Sequence, residues 1–236
     1  MARKGEGSMI KVSCRSDIMK LFVKPLGSGE ESTVGLLKDG KNVAKCFHQP
    51  RDLNEVNNLL MGKDLNQTSF CFLKDLYTND NFIWGALADY APGNKLSSDI
   101  KKVPFMNLLY STLLLKRDIK TVSDAGIKVG DWKNFNMNFT DAEITITDVG
   151  RCFYSGEDKK EIYRYNLEMI FDVIKREYCN NELLKEIIEK DPVLNRSFKN
   201  NESFPEFFIE LQKYFRNELG EEVSNLVECE SKMKKI

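Results

Sequence analysis

The feature that most constrains this chain is a change in its hydrophobic periodicity. Short apolar runs divided by turn residues give way, after Asp89-Tyr90-Ala91-Pro92-Gly93-Asn94, to long stretches with helical spacing. The first runs, Lys20 to Lys24, Thr33 to Leu37 and Asn42 to Phe47, are separated by Pro25-Leu26-Gly27-Ser28-Gly29 and by Asp39-Gly40. Asp-Gly between apolar runs predicts a tight hairpin whose two central residues take positive φ. A helix is expected over Arg51 to Met61, with Leu53, Val56, Leu59 and Leu60 on one side and Gly62 at its end, followed by strands at Phe70 to Tyr77 and Phe82 to Ala88. Beyond the Pro-Gly break, Pro104 to Asp124 places Leu108, Leu109, Leu113, Leu114 and Ile119 along one stripe. Ile127 to Phe153 reads as short strands and loops. The rest reads as helices from about Glu161, broken at Asp191-Pro192 and Asn200-Asn201. Such an order predicts an α+β fold with a small antiparallel sheet on one side of the break and mostly helices on the other.

A length of 236 residues suits one functional unit. The expected division is a flexible N-terminus over 1–9 and a single domain over 10–236. A formal net charge of -1 argues against a basic field that would hold a nucleic-acid backbone or an anionic membrane surface. The six cysteines include no CxxC pair, and His48 is the single histidine, so neither a zinc site nor a disulfide framework is expected. A reducing, cytoplasmic compartment fits this usage. No stretch approaches the roughly 18 to 20 apolar residues of a membrane span.

Three features in the first half have chemical potential and ordinary explanations alike. The Gly27-Ser28-Gly29 turn joins two strands, where it is either a plain hairpin or a loop whose backbone can approach phosphates closely. Lys45, in the third strand, is either a solvated strand lysine or a point charge for phosphate oxygens. Glu55, on the helix that follows, is either a solvated carboxylate or the acidic partner that orients Lys45.

The second half supplies the more specific pattern. Gly130-Asp131-Trp132-Lys133-Asn134-Phe135-Asn136 is followed by Ile144-Thr145-Ile146-Thr147-Asp148-Val149-Gly150. D-x-K-x-x-N, then a strand, then D-x-G resembles the catalytic and magnesium-binding loops of the protein-kinase superfamily, and the earlier features fall in the matching order. The resemblance covers approximately Leu21 to Ile174. It implies a bilobal fold with a sheet lobe over about 10–88, a hinge over 89–94 and a reduced helical lobe over 95–236. It also implies ATP and Mg²⁺ as cofactors, with Asp131 accepting or orienting the proton of the attacking hydroxyl. Lys133 would neutralise charge on the transferring phosphoryl group, and Asn136 and Asp148 would offer oxygen ligands to magnesium. Gly27, Ser28 and Gly29 would cover the phosphates with Lys45 and Glu55 behind them. Ala88 would stand as gatekeeper, the backbone of Asp89 and Ala91 would meet the adenine, and Val34 and Val43 would pack on it.

The chain also departs from that pattern. Ser32 replaces the third glycine, Val129-Gly130 stands where most protein kinases carry His-Arg, and Val149 replaces the Phe of Asp-Phe-Gly. No Ala-Pro-Glu motif follows, so the usual platform for a protein substrate is largely missing. The expected activity is an ATP-dependent kinase acting on protein serine or threonine. The alternatives are a kinase-fold binding module acting through a protein partner and a small-molecule kinase of the aminoglycoside or choline kinase type. For the module, the aromatic Phe204 to Phe208 segment is either a docking surface or, as preferred, a helix packed on the helical lobe. Compact kinases of this sort occur among viral and bacterial effector proteins, which would place the chain in host-cell cytoplasm.

Overall fold

The computed structural model describes residues 9–96, 100–130, 136–140, 142–149 and 152–233. Asp131 and Lys133, and the segment 1–8 expected to be flexible, lie outside the described residues.

The first half builds one sheet of six strands: β1 (Met9–Lys11), β2 (Lys24–Ser28), β3 (Ser32–Leu36), β4 (Asn42–Asp52), β5 (Leu73–Thr78) and β6 (Phe82–Asp89). Their order is β1-β5-β6-β4-β3-β2, antiparallel except where β1 runs parallel to β5. Met9, assigned from sequence to the flexible N-terminus, is instead the first residue of β1 and is in register with Leu76.

Three expectations about this half are corrected. The strand at Lys20 to Lys24 is displaced: the helix α1 (Arg15–Met19) occupies the chain just before it, and the paired segment is Lys24–Ser28, most of the anticipated turn. Here α1 buries Ile18 completely against the sheet, and Gly85 of β6 makes room, since a Cβ there would stand 2.9 Å from the Ile18 side chain. In the Asp39-Gly40 turn only Gly40 has positive φ, at 67°. Asp39 instead accepts hydrogen bonds from the Lys41 and Asn42 amides at 2.9 Å each, a local side-chain turn in place of the two-residue one. The helix expected over Arg51 to Met61 shrinks to a 3-10 turn, Leu53–Glu55, and the single turn α2 (Val56–Leu59). The strand β4 runs on to Asp52, whose carboxylate caps the turn by accepting from the Asn54 amide at 2.7 Å, and Asn57 and Asn58 are poor helix formers.

The second half follows its sequence pattern closely. After the short strand β7 (Asn94–Lys95) come α3 (Phe105–Asp124), β8 (Ile127–Lys128), β9 (Met137–Phe139), β10 (Ile144–Ile146) and β11 (Phe153–Tyr154). The helices α4 (Lys159–Tyr178), α5 (Glu182–Lys190), α6 (Pro192–Lys199), α7 (Phe204–Leu219) and α8 (Leu226–Met233) complete the chain. Asp191 ends α5 and caps α6, accepting from the Val193 and Leu194 amides, with Pro192 in the first turn, where its missing N–H costs nothing. The fold is mixed α+β.

Most of the buried apolar surface lies among the helices, where α3 packs on α4 and α7. Leu108, Leu109 and Ile119 of the expected stripe are buried while Leu113 is exposed. Phe204, Phe207, Phe208, Leu211 and Phe215 are completely buried, in agreement with the preferred reading of this segment as a packed helix and against its use as a docking surface. The four phenylalanines interlock with Phe171, Phe198, Tyr178 and Phe105 at ring separations of 5.2 to 6.4 Å, the spacing of favourable edge and offset contacts. Among the described residues, no helix is long and apolar enough to cross a membrane.

Candidate functional site

A cleft of about 550 Å³ runs between the sheet and the β7-β9-β10 sheet of the helical half. Gly27, Ser28, Gly29, Val34, Val43, Lys45, Ala88, Asp89, Ala91, Asn136 and Asp148 all line it. These are the sequence-predicted site residues except Glu55, which is not among the lining residues, and Asp131 and Lys133. They come from segments far apart in the chain, brought together by strand pairing.

The roof is the β2-β3 hairpin. A register shift between Pro25 and Gly27 bends the edge strand, and Gly27 and Ser28 then pair with Val34 and Thr33. A Cβ on Gly27 or Gly29 would meet no atom within 4 Å, so the glycines leave open space. The imidazole of His48, which sequence reasoning considered only as a metal ligand, clasps this hairpin. Its Nδ1 lies 2.9 Å from the Glu30 carbonyl, which can only accept, so Nδ1 carries a proton. In the neutral ring Nε2 then accepts from the Thr33 hydroxyl at 3.1 Å, with Ser28 Oγ 3.4 Å away.

The wall is β4, with Lys45 in register between Val34 and Ala86. Lys45 Nζ donates to Asp148 Oδ1 at 3.1 Å across 103 positions of sequence. Glu55, the partner expected for Lys45, is engaged elsewhere. It accepts from Arg51 at 3.3 Å and from the Asp52 amide at 3.3 Å, as the third residue of a capping box. The physical reason is the shortness of α2: Glu55 belongs to a first turn fixed by β4, not to the face of a long helix. Arg51 also reaches Glu31 at 3.0 Å and stacks over Phe47, its guanidinium 4.8 Å from the ring centre.

The back is the connection after β6. Ala88 is buried, in register with Val43 and Leu73, and the Tyr90 amide donates to the Lys41 carbonyl at 2.8 Å. The chain turns at Gly93, whose φ of 103° and closeness to β9 exclude a side chain: a Cβ would lie 2.2 Å from the Phe139 carbonyl oxygen. Asn138 fastens the connection from below, its Nδ2 donating to the Ala91 carbonyl at 2.8 Å. Cys71 also lines the cleft, and burial pushes its thiol up to about 12.

The floor is the β9-β10 hairpin, with Asn138 opposite Thr145. At its open end the Asn136 carbonyl accepts from the Thr147 amide at 2.8 Å and the Thr147 hydroxyl at 3.1 Å, which brings the Asn136 residue beside Asp148. Two buried polar residues fix this floor from behind. Asp118 of α3 collects the Thr68 and Ser69 amides at 2.9 Å each, and the Ser69 carbonyl accepts from the Ile146 amide at 2.7 Å, two residues before Asp148. Asn166 of α4 accepts from the Val129 amide at 2.8 Å and donates to the Ile127 carbonyl and the Ser123 hydroxyl at 2.9 Å each. It thereby anchors the chain two positions before Asp131. Neither residue had a sequence signal: each is one polar residue inside a helical pattern, and its role depends on a partner many positions away.

The cleft has the size and lining of a small-molecule site, since such pockets are commonly a few hundred Å³, largely apolar, with a few fixed polar groups. Among the described residues no three His, Cys, Asp or Glu side chains gather into a metal site. Asp148 and Asn136 are a partial oxygen set of the kind magnesium takes when phosphates complete its shell. No protein-family model matches the chain, and no curated protein matches it.

Proposed function

We propose that the chain is an ATP-dependent phosphotransferase with a two-lobed, protein-kinase-like arrangement, whose cleft takes MgATP and whose acceptor is a serine or threonine hydroxyl of a protein. The observation that carries the reading is the Lys45 to Asp148 contact at 3.1 Å, inside a cleft roofed by a glycine turn and backed by the chain's Pro-Gly connection. Lys45 would hold phosphate oxygens as a point charge. Asp148 and Asn136 would hold magnesium, which supplies charge neutralisation on the phosphates when bound. Val34, Val43 and Ala88 offer an apolar slot for a base. By resemblance, Asp131 would orient the acceptor hydroxyl and Lys133 would steady the transferring group.

A second reading, transfer to a small molecule, is favoured by the short path from Val149 to α4, which begins at Lys159. Within its described part, β11 is paired back onto β8, with Phe153 opposite Lys128. Little chain is left there to shape a platform for a polypeptide.

Incubation with γ-labelled ATP and Mg²⁺, alone and with generic protein substrates, tests the proposal beside Asp148→Ala. Label transfer to protein that disappears in the variant is the expected result. Nucleotide binding without transfer to any protein moves the assignment to the second reading, and failure to bind nucleotide at all rejects both.

A further inference from the structure

One polar side chain of the cleft is turned toward the protein's own backbone, and the reading above makes no use of it. Asn138 stands in the middle strand of the β7-β9-β10 sheet, opposite Lys95 of β7 and Thr145 of β10, so its backbone is fixed from both sides. Asn138 and Ala91 both line the cleft. The Ala91 carbonyl can only accept, so the amide atom 2.8 Å from it is Nδ2, and the orientation of the group is settled. Oδ1 is thereby left buried without a hydrogen-bond partner. An acceptor left dry in this way costs free energy. The amide is thus held in an orientation that satisfies the Ala91 carbonyl at the expense of its own oxygen.

We propose that Asn138 is a specificity-determining residue for the base: by holding the Ala91 carbonyl it withholds that acceptor from the ligand, and so selects adenine over purines that carry a 2-amino group. The inference rests on the MgATP reading, in which the base lies in the slot of Val34, Val43 and Ala88 with one edge on the connection after β6, and deepens it. Residues two apart in an extended chain turn their peptide groups to the same side. Ala91 precedes Pro92, which favours the extended form. The edge therefore reads Asp89 carbonyl, Ala91 N–H, Ala91 carbonyl. Adenine offers a donor at its exocyclic amine, an acceptor at the neighbouring ring nitrogen, and then only a C–H, so it asks nothing of the third group. A bare Ala91 carbonyl would be covered by the seated base without a partner, whereas one tied to Asn138 stays satisfied. A 2-amino group arriving at the same point has to share the oxygen with Nδ2, and sets its own hydrogens against those of the amide. Discrimination then comes from a position closed against the wrong ligand rather than from an added contact to the right one.

The test is calorimetric titration of the full chain, in Mg²⁺, with ATP and with 2-amino-ATP, which differs from ATP only by the added amine. The wild type is compared with Asn138→Leu and, in case the bulk of Leu disturbs the sheet, with Asn138→Ala. A polar group desolvated without a partner corresponds to about tenfold in affinity, so the wild type is expected to favour ATP by about that factor. Both variants free the Ala91 carbonyl for the amine, and the preference is expected to vanish or reverse in them. A wild type that binds the two nucleotides equally would overturn the proposal. Variants that keep the wild-type preference, equal weakening of both nucleotides included, would overturn it too and leave Asn138 as a fastening of the connection alone. A wild type that binds neither nucleotide rejects the MgATP reading and the inference with it, a result distinct from ATP binding without discrimination.

Discussion

Removing the carboxylate of Asp118 is expected to destabilise the protein more than any other single polar truncation in the helical half. The side chain is completely buried. One oxygen accepts from the Thr68 and Ser69 amides and the Ser69 hydroxyl at 2.9 Å each, and the other from Arg117 at 2.8 and 2.9 Å. Ser69 is only 2% exposed, so Asp118→Ala leaves two of its donors dry and unpaired. At about 1 to 3 kcal/mol for each unsatisfied buried group, the loss is about 4 kcal/mol. The exposed Arg117 adds little. For a chain of this size that corresponds to a fall in melting temperature of about 8 to 16 °C. Asp118→Asn keeps one accepting oxygen and should lose roughly half as much.

The pH dependence has a definite sign. Burial alone would raise the Asp118 pKa, but the hydrogen bonds from Thr68, Arg117 and Ser69 outweigh it and hold the carboxyl below its ordinary value. Its contribution is therefore complete above the unfolded pKa, near 4, and is lost as pH falls through the folded one. Urea unfolding at neutral pH and at about pH 3 measures this: the gap between wild type and Asp118→Asn should narrow at the lower pH. A cost under about 1 kcal/mol for Asp118→Ala, or a gap that does not move with pH, would refute the reasoning.

Gly93→Ala forces a side chain into a φ of 103° and into the Phe139 carbonyl, so a loss of at least about 2 kcal/mol is expected in thermal unfolding. Phe207→Ala, at a site with no exposure among packed rings, should lose about 3 to 5 kcal/mol by the same measurement and leave the far-UV signal of the folded state in place. Cysteine reactivity should divide sharply. The Cys14 thiol is lowered, chiefly by its hydrogen bond with the Ser16 side chain, whereas burial lifts Cys71 to about 12. Alkylation of the folded protein at about pH 8, mapped by mass spectrometry, should therefore label Cys14 well before Cys71.

The helical half was readable because its signals are local. Pro104, Asp191-Pro192 and Asn200-Asn201 punctuate α3, α6 and α7 where caps and turn chemistry demand. The sheet half misled where long-range pairing overrode local preference. Arg51 and Asp52 look helical in sequence, but pairing with Ile83 and Phe82 draws them into β4, and with them goes the expected place of Glu55. In the cleft, Lys45 and Asp148 could be picked out by residue type and order, yet their direct contact could not, because it depends on how two distant hairpins meet. Asp118, Asn138 and Asn166 carry no pattern of their own.

The glycine hairpin has a consequence beyond its place above the cleft. Strand β2 is also an outer edge of the six-stranded sheet, and all five of its residues are exposed. An exposed edge invites a second chain to add a strand. Pro25 removes one donor from that edge, Lys24 adds a charge that resists apolar stacking, and the shift at Pro25 and Gly27 bends the strand out of the flat shape a newcomer would need. The same bend that leaves space over the cleft protects the chain from edge-to-edge aggregation. Straightening it, by replacing Pro25 and Gly27 with β-branched residues, would close the roof and open the molecule to self-assembly in one step.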